Sequence, residues 1–173
     1  MPQLSMINLI ISYYVDEDPS RQNELNRCLD ININNVLIST ITCIVDGPAD
    51  PPSHDKIQII KALERPTYSR IFALGYESQW NVFANSDIYF DGSLENILSY
   101  DTSQILALAR HDVGQDGNAV LYNTWDSQDA WVFHGAPQIN ADFISGKPGC
   151  DNAVAYAIVN GGFKLANPSK TIK

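Results

Sequence analysis

The chain reads as an α/β fold: one domain over residues 1–173, with a mostly parallel central sheet flanked by helices. Three observations predict it. Short apolar runs bounded by turn residues recur along the chain, as expected of strands buried on both faces. The first two runs are separated by an amphipathic helical stretch, and strand–helix–strand is the opening of a parallel, doubly wound sheet. Polar residues gather where the runs end, at the edge where open α/β sheets bind ligands.

The first strand is expected over Met6–Tyr14, with Ile7, Leu9 and Ile11 on one face. Asp18 then caps a helix that has Pro19 at its first position, and Leu25, Cys28 and Leu29 form its apolar stripe. A second strand covers Ile41–Val45 and ends in Asp46-Gly47-Pro48, a turn that carries a carboxylate. Ile57–Ile60 is a third, short strand. Arg65-Pro66-Thr67 opens a helix whose inner stripe is Tyr68, Ile71 and Phe72, with Gly75 near its end.

The most informative stretch is Trp80–Asp91, a buried strand that turns polar before its apolar register ends. On a continuing strand Asn85 and Asp87 project to the same side. An amide oxygen and a carboxylate placed there suit a hard divalent cation that also holds phosphates. Asp91 shares their parity, but an extended chain would hold it roughly 13 Å from Asp87. Asn-Ser-Asp is also ordinary turn chemistry, and Asp91-Gly92-Ser93 a turn before a helix cap.

Ser93 is expected to cap a short helix carrying Leu94, Ile97 and Leu98, and Ile105–Ala109 to be a strand leading into Arg110-His111-Asp112. Gly114–Asn118 reads as a mobile polar loop. Val120–Tyr122 and Ala130–Phe133 read as strands on either side of Asn123-Thr124-Trp125-Asp126-Ser127. Gly146–Cys150 is a tight connection into a helix from Asn152 to Asn160, stopped by Gly161-Gly162. A strand at Phe163–Ala166 and a solvated tail follow.

A chain of 173 residues suits a single core, and 45% hydrophobic with 18% charged residues is globular. A net charge of −9 argues against a nucleic-acid backbone as partner. Met6–Tyr14 is too short and polar to span a bilayer. Cys28, Cys43 and Cys150 form no Cys-x-x-Cys pair and read as free thiols of a reducing compartment. The expectation is a cytoplasmic protein with no membrane span.

Six segments, taken together and in this order, resemble the nucleotide-sugar glycosyltransferases of the GT-A fold, a Rossmann-like architecture, in compact bacterial and phage forms. They are Ile10–Tyr14, Ile44–Gly47, Arg65–Tyr68, Ala84–Ile88, Ser127–Trp131 and Pro148–Asn152. The resemblance implies transfer of a sugar from a UDP-linked nucleoside-diphosphate donor to an unknown acceptor. It makes 6–92 the nucleotide half and 93–173 the sugar and acceptor half. Tyr13, Tyr14, Asp46 and Arg65 would meet the nucleotide, Arg65 through its planar fork. Asn85-Ser86-Asp87 stands where the family has Asp-x-Asp. Asp87 thus inherits Mn²⁺ or Mg²⁺, and the neutral Asn85, beside nucleotide and metal, weakens the site.

Gln128, Asp129 and Asn152 would hold the sugar. Asp151 is the first choice for activating the acceptor and Asp129 the second. Asp151 also fits a helix N-cap, Asp46 a shaped turn, Arg65 a surface ion pair and the tyrosines plain strand residues. The chain lacks the family's histidine after the last strand and the segment that builds the acceptor pocket. An oligomer or partner that completes the pocket is therefore one expectation. The alternative is a degenerate module that binds nucleotide or nucleotide-sugar without transfer.

Overall fold

The structure, a computed structural model, describes residues 7–122 and 127–173. Met6 of the expected first strand and residues 123–126 of the polar stretch lie outside them.

The strands are β1 (Ile7–Ser12), β2 (Ile38–Val45), β3 (Ile57–Lys61), β4 (Trp80–Ala84), β5 (Gln104–Leu108), β6 (His111–Val113), β7 (Ala119–Leu121), β8 (Ala130–His134) and β9 (Lys164–Ala166). The helices are α1 (Pro19–Asn34), α2 (Tyr68–Ala73) and α3 (Cys150–Asn160), with a 3-10 helix at Gly92–Ser99. Seven strands form one sheet in the order β3-β2-β1-β4-β8-β5-β9. Only β8 runs against its neighbours, β4 and β5. The other four pairings are parallel. This is the mostly parallel, helix-flanked sheet that the apolar runs predict.

Strand order reverses at β1, which lies between β2 and β4. The carboxyl ends of β1 and β4 therefore frame a switch-point crevice. Each face of the sheet carries its own core. Ile7, Leu9 and Ile11 of β1 pack with Leu29 of α1, Leu94 and Ile97 of the 3-10 helix, and Ile172. On the other face, Trp131 and Phe133 of β8 pack with Tyr68 and Phe72 of α2 and Val154 and Ile158 of α3. The Phe72 and Phe133 rings meet nearly edge to face, 5.0 Å apart. Gly75 follows α2 because no side chain fits there: a Cβ would lie 2.1 Å from the Gly135 carbonyl oxygen.

The sheet interior also holds a polar ladder. Asn8 donates to Asn81 at 3.0 Å, and Thr42 donates to Asn8 at 2.9 Å, tying β2, β1 and β4 together below the surface. All three are buried.

Several local expectations are corrected. Asp91, not Ser93, caps the 3-10 helix, accepting from the Ser93 amide at 2.8 Å. Leu98 on that helix stays largely exposed. Gly114–Asn118 is no loose loop but the turn of the β6–β7 hairpin, closed by the Gly114 amide on the Asn118 carbonyl at 2.9 Å. The tail is only partly solvated: Asn167, Lys170, Thr171 and Lys173 are exposed, but Ser169 and Ile172 are buried, and the Lys173 amide donates to Ser93 Oγ at 2.7 Å.

Candidate functional site

At the switch point the Tyr13 amide donates to the Ile44 carbonyl at 2.8 Å, extending the β1–β2 pairing by a residue. Ser86 reaches back from β4 to the Ser12 carbonyl. Burial first, then the charges at Cys43 and Asp50, push the Tyr13 phenol above its ordinary value. Asp46 follows β2 and is exposed.

The strand ends at Ala84, and the chain turns at once, the Ile88 amide donating to the Asn85 carbonyl at 3.1 Å. The same-side geometry expected of Asn85 and Asp87 needs an extended chain, so it does not form; the two side chains part. Asn85 donates its amide to Asp129 Oδ1 at 3.1 Å. Asp87 Oδ2 takes a hydrogen bond from Arg21 at 2.8 Å. Arg21 also holds Glu24 at 2.6 Å. Hydrogen bonds to Asp87 and then Glu24, with Tyr14 contributing, bind the Arg21 proton more tightly than usual.

Helix α1 then grips the backbone beyond β4. Cys28 Sγ donates to the Asp87 carbonyl at 3.2 Å and Asn32 to the Ile88 carbonyl at 2.9 Å. Asn32 also accepts from the Phe90 amide at 3.1 Å, and Asn35 donates to the Phe90 carbonyl at 2.9 Å. Positions 28, 32 and 35 lie on one helix face. Burial, followed by the charge of Asp87, pushes the Cys28 thiol up to about 11.

Asp129 enters β8 beside Asn85, its amide on the Leu108 carbonyl at 2.8 Å. The residue is 9% exposed. Besides Asn85 it accepts from the Arg110 amide at 3.2 Å, and the Arg110 guanidinium stands 3.6 Å away. Arg110 pairs with Asp112 at 2.8 Å and lies 4.0 Å over the Tyr122 ring. Next along the edge, Asp151 accepts from the Gln128 amide at 3.2 Å. Gly149, with φ of 80°, occupies the N-cap of α3, so Asp151 sits in the first turn and is not the cap. The helix accordingly starts at Cys150, ahead of the expected Asn152. Asn152 is exposed.

Asn85 thus meets Asp129, and Gln128, its neighbour in sequence, meets Asp151, while Asp87 pairs with Arg21. Arg65 is exposed and lies against Gly146, where a Cβ would sit 3.4 Å from its guanidinium. A cleft of about 650 Å³ opens beside this edge, lined by Asp87, Arg110, His111 and Asp129 among others.

As built, the donors do not fit Mn²⁺ or Mg²⁺. Asp87 already carries a guanidinium, and the Asn85 side chain is anchored through its amide nitrogen at a different carboxylate, Asp129. Among the described residues no three acidic, histidine or cysteine side chains gather around a common point. Sequence reasoning missed Arg21 and the hold of Arg110 on Asp129. A cation in the first turn of a helix, disfavoured by the helix dipole, was the available signal for Arg21. An arginine directly after a buried strand was the signal for Arg110.

No protein-family model matches the chain, and no curated protein matches it in sequence. Among solved structures it is similar to 4-diphosphocytidyl-2C-methyl-D-erythritol synthase of Anaerococcus prevotii. That match has 11% identity and a TM-score of 0.54, covering 95% of this chain and 89% of that one. It is also similar to 2-C-methyl-D-erythritol 4-phosphate cytidylyltransferase of Francisella tularensis, with 14% identity, a TM-score of 0.49, and coverage of 94% and 89%. The likeness to the Anaerococcus protein is one of fold. No helix among the described residues is long and apolar enough to cross a membrane.

Proposed function

We propose that the chain is a nucleotide-dependent transferase that moves a sugar from a UDP-linked nucleoside-diphosphate donor to an acceptor. The observation that carries this reading is the contact chain Asn85–Asp129 and Gln128–Asp151 along the carboxyl edge of the sheet, next to the crevice at β1 and β4. In this reading Tyr13, Tyr14, Asp46 and Arg65 meet base, ribose and phosphate. Gln128, Asp129 and Asn152 hold sugar hydroxyls. Asp151 takes the acceptor proton, and Asp129 holds Asn85 and Arg110 in place.

A second reading is a nucleotide-binding module without turnover. It is favoured by the commitment of both Asp87 and Asp129 to arginines. Nucleotidyl transfer is the remaining outcome to separate.

Calorimetry with a nucleotide panel, with and without Mn²⁺, tests binding; UDP release from UDP-sugars tests transfer; pyrophosphate release from nucleoside triphosphates tests nucleotidyl transfer. Sugar transfer predicts UDP release and no pyrophosphate. Asp151→Asn should leave UDP affinity within about 0.5 kcal/mol and lower turnover by ~10²-fold or more. Full turnover in that variant removes Asp151 as the base. Binding with no turnover of any donor selects the module.

A further inference from the structure

We infer that Arg21 is the resident cation of the Asp87 carboxylate and keeps divalent metal away from it, so that nucleotide binding at this edge is metal-independent. The metal-independence rests on the nucleotide reading above; the exclusion of metal does not.

Arg21 sits in the first turn of α1, where the helix dipole disfavours positive charge. Two carboxylates offset that cost. Glu24 holds one terminal nitrogen at 2.6 Å and Asp87 the other at 2.8 Å. Glu24 comes from the same helix, whereas Asp87 comes from the turn after β4. The guanidinium therefore joins two elements as well as two charges. Both partners are partly sheltered, with side-chain exposures of 34% for Arg21 and 29% for Asp87.

The turn that presents Asp87 is tied to the same helix that carries Arg21. Cys28, Asn32 and Asn35 bind its backbone at Asp87, Ile88 and Phe90. A dication at Asp87 would have to displace the guanidinium or stand beside it against like charge. The Asn85 side chain is anchored elsewhere, through its amide nitrogen at Asp129, while Asp87 is held by Arg21.

The same geometry makes a sharp prediction. Glu24 and Asp87 share one guanidinium, so removing it leaves two unpaired carboxylates that bordered the same group, Asp87 partly sheltered and Glu24 54% exposed. Paired hard oxygens of that kind bind divalent cations. Deleting Arg21 should therefore create a metal site that the parent lacks.

The experiment titrates Mn²⁺ alone into the parent, Arg21→Ala, Arg21→Lys and the double variant Arg21→Ala/Asp87→Asn. Circular dichroism confirms folding in each. Arg21→Ala should bind Mn²⁺ at least about tenfold more tightly than the parent. The double variant should lose that gain, and Arg21→Lys, which keeps a point charge, should not show it. A saturable Mn²⁺ site in the parent that Asp87→Asn abolishes overturns the inference. So does a folded Arg21→Ala with no gain. Should Arg21→Ala unfold, Arg21→Gln replaces it with the same expectation.

A separate arm measures UDP affinity of the parent with Mn²⁺ and with a chelator, where the dissociation constant should change less than about twofold. A larger gain with Mn²⁺ overturns the metal-independence. Absence of UDP binding in both conditions removes the nucleotide reading instead, and leaves the Mn²⁺ titrations to decide the exclusion.

Discussion

Asp129 shows how much of this site is held by single side chains. Its carboxylate meets the side-chain amide of Asn85, just past β4, and both the backbone and the guanidinium of Arg110, just past β5, so it joins two strand ends. A group so engaged is better suited to fixing neighbours than to taking protons, which is why Asp151 is preferred as the base. Another side chain at this scale sets a pH dependence. Cys43 of β2 is wholly buried, and burial pushes its thiol from the ordinary 9.0 up to about 12. The neutral thiol is thus favoured in the folded chain, while the unfolded chain ionises near the ordinary value. The stability this provides is fully present below pH 9.0 and is lost as pH rises toward 12. Urea unfolding of the parent should weaken across that window more steeply than that of Cys43→Ala, which has no thiol to ionise. Parallel pH profiles would refute the burial argument.

At the level of elements, α1 does more than cover one face of the sheet, because it supplies the hydrogen-bond partners of the turn after β4. Asn32→Ala would leave the buried Phe90 amide and the Ile88 carbonyl unmet. The expected cost is roughly 2–3 kcal/mol, with faster hydrogen exchange at Phe90 than at β1 amides. Unchanged exchange at Phe90 would show that water replaces Asn32 there. Most strands and helices were legible in the amino-acid sequence, because continuous apolar runs and the Asp18-Pro19 and Arg65-Pro66-Thr67 starts are local signals; the short polar β6 carries no such run and was missed, and β2 starts at Ile38, three residues before the expected Ile41. The positions of Asn85 and Asp129 beside apolar strands, and of Asp151 at a helix start, could also be read from the sequence. The Asp87 partner was not. Arg21 lies 66 residues away in sequence, and no local pattern reports a contact of that range. The parity argument failed for a local reason: it assumed a strand through Asp87, and the chain turns after Ala84. The tail misled through composition. Asn167-Pro168-Ser169-Lys170-Thr171 is polar, yet Ser169 is buried because its Oγ accepts from the Ala109 amide at 2.8 Å.

For the molecule as a whole, the antiparallel β8 is the piece that closes the sheet. It pairs with β4 on one side and β5 on the other, while β4 and β5 do not touch as strands. The parallel strands β1, β2 and β3 need nothing from the second half to pair among themselves. In pulsed hydrogen exchange during refolding, amides of β1 and β2 should be protected in an earlier phase than those of β8 and β5. Simultaneous protection would mean that the sheet forms in one step. The same arrangement has a consequence during synthesis on the ribosome. Chains emerge at about 5–20 residues per second, so β4 is complete on the order of seconds before β8 leaves the tunnel. Until β8 arrives, Trp80 to Ala84 present an unpaired edge to any extended chain nearby.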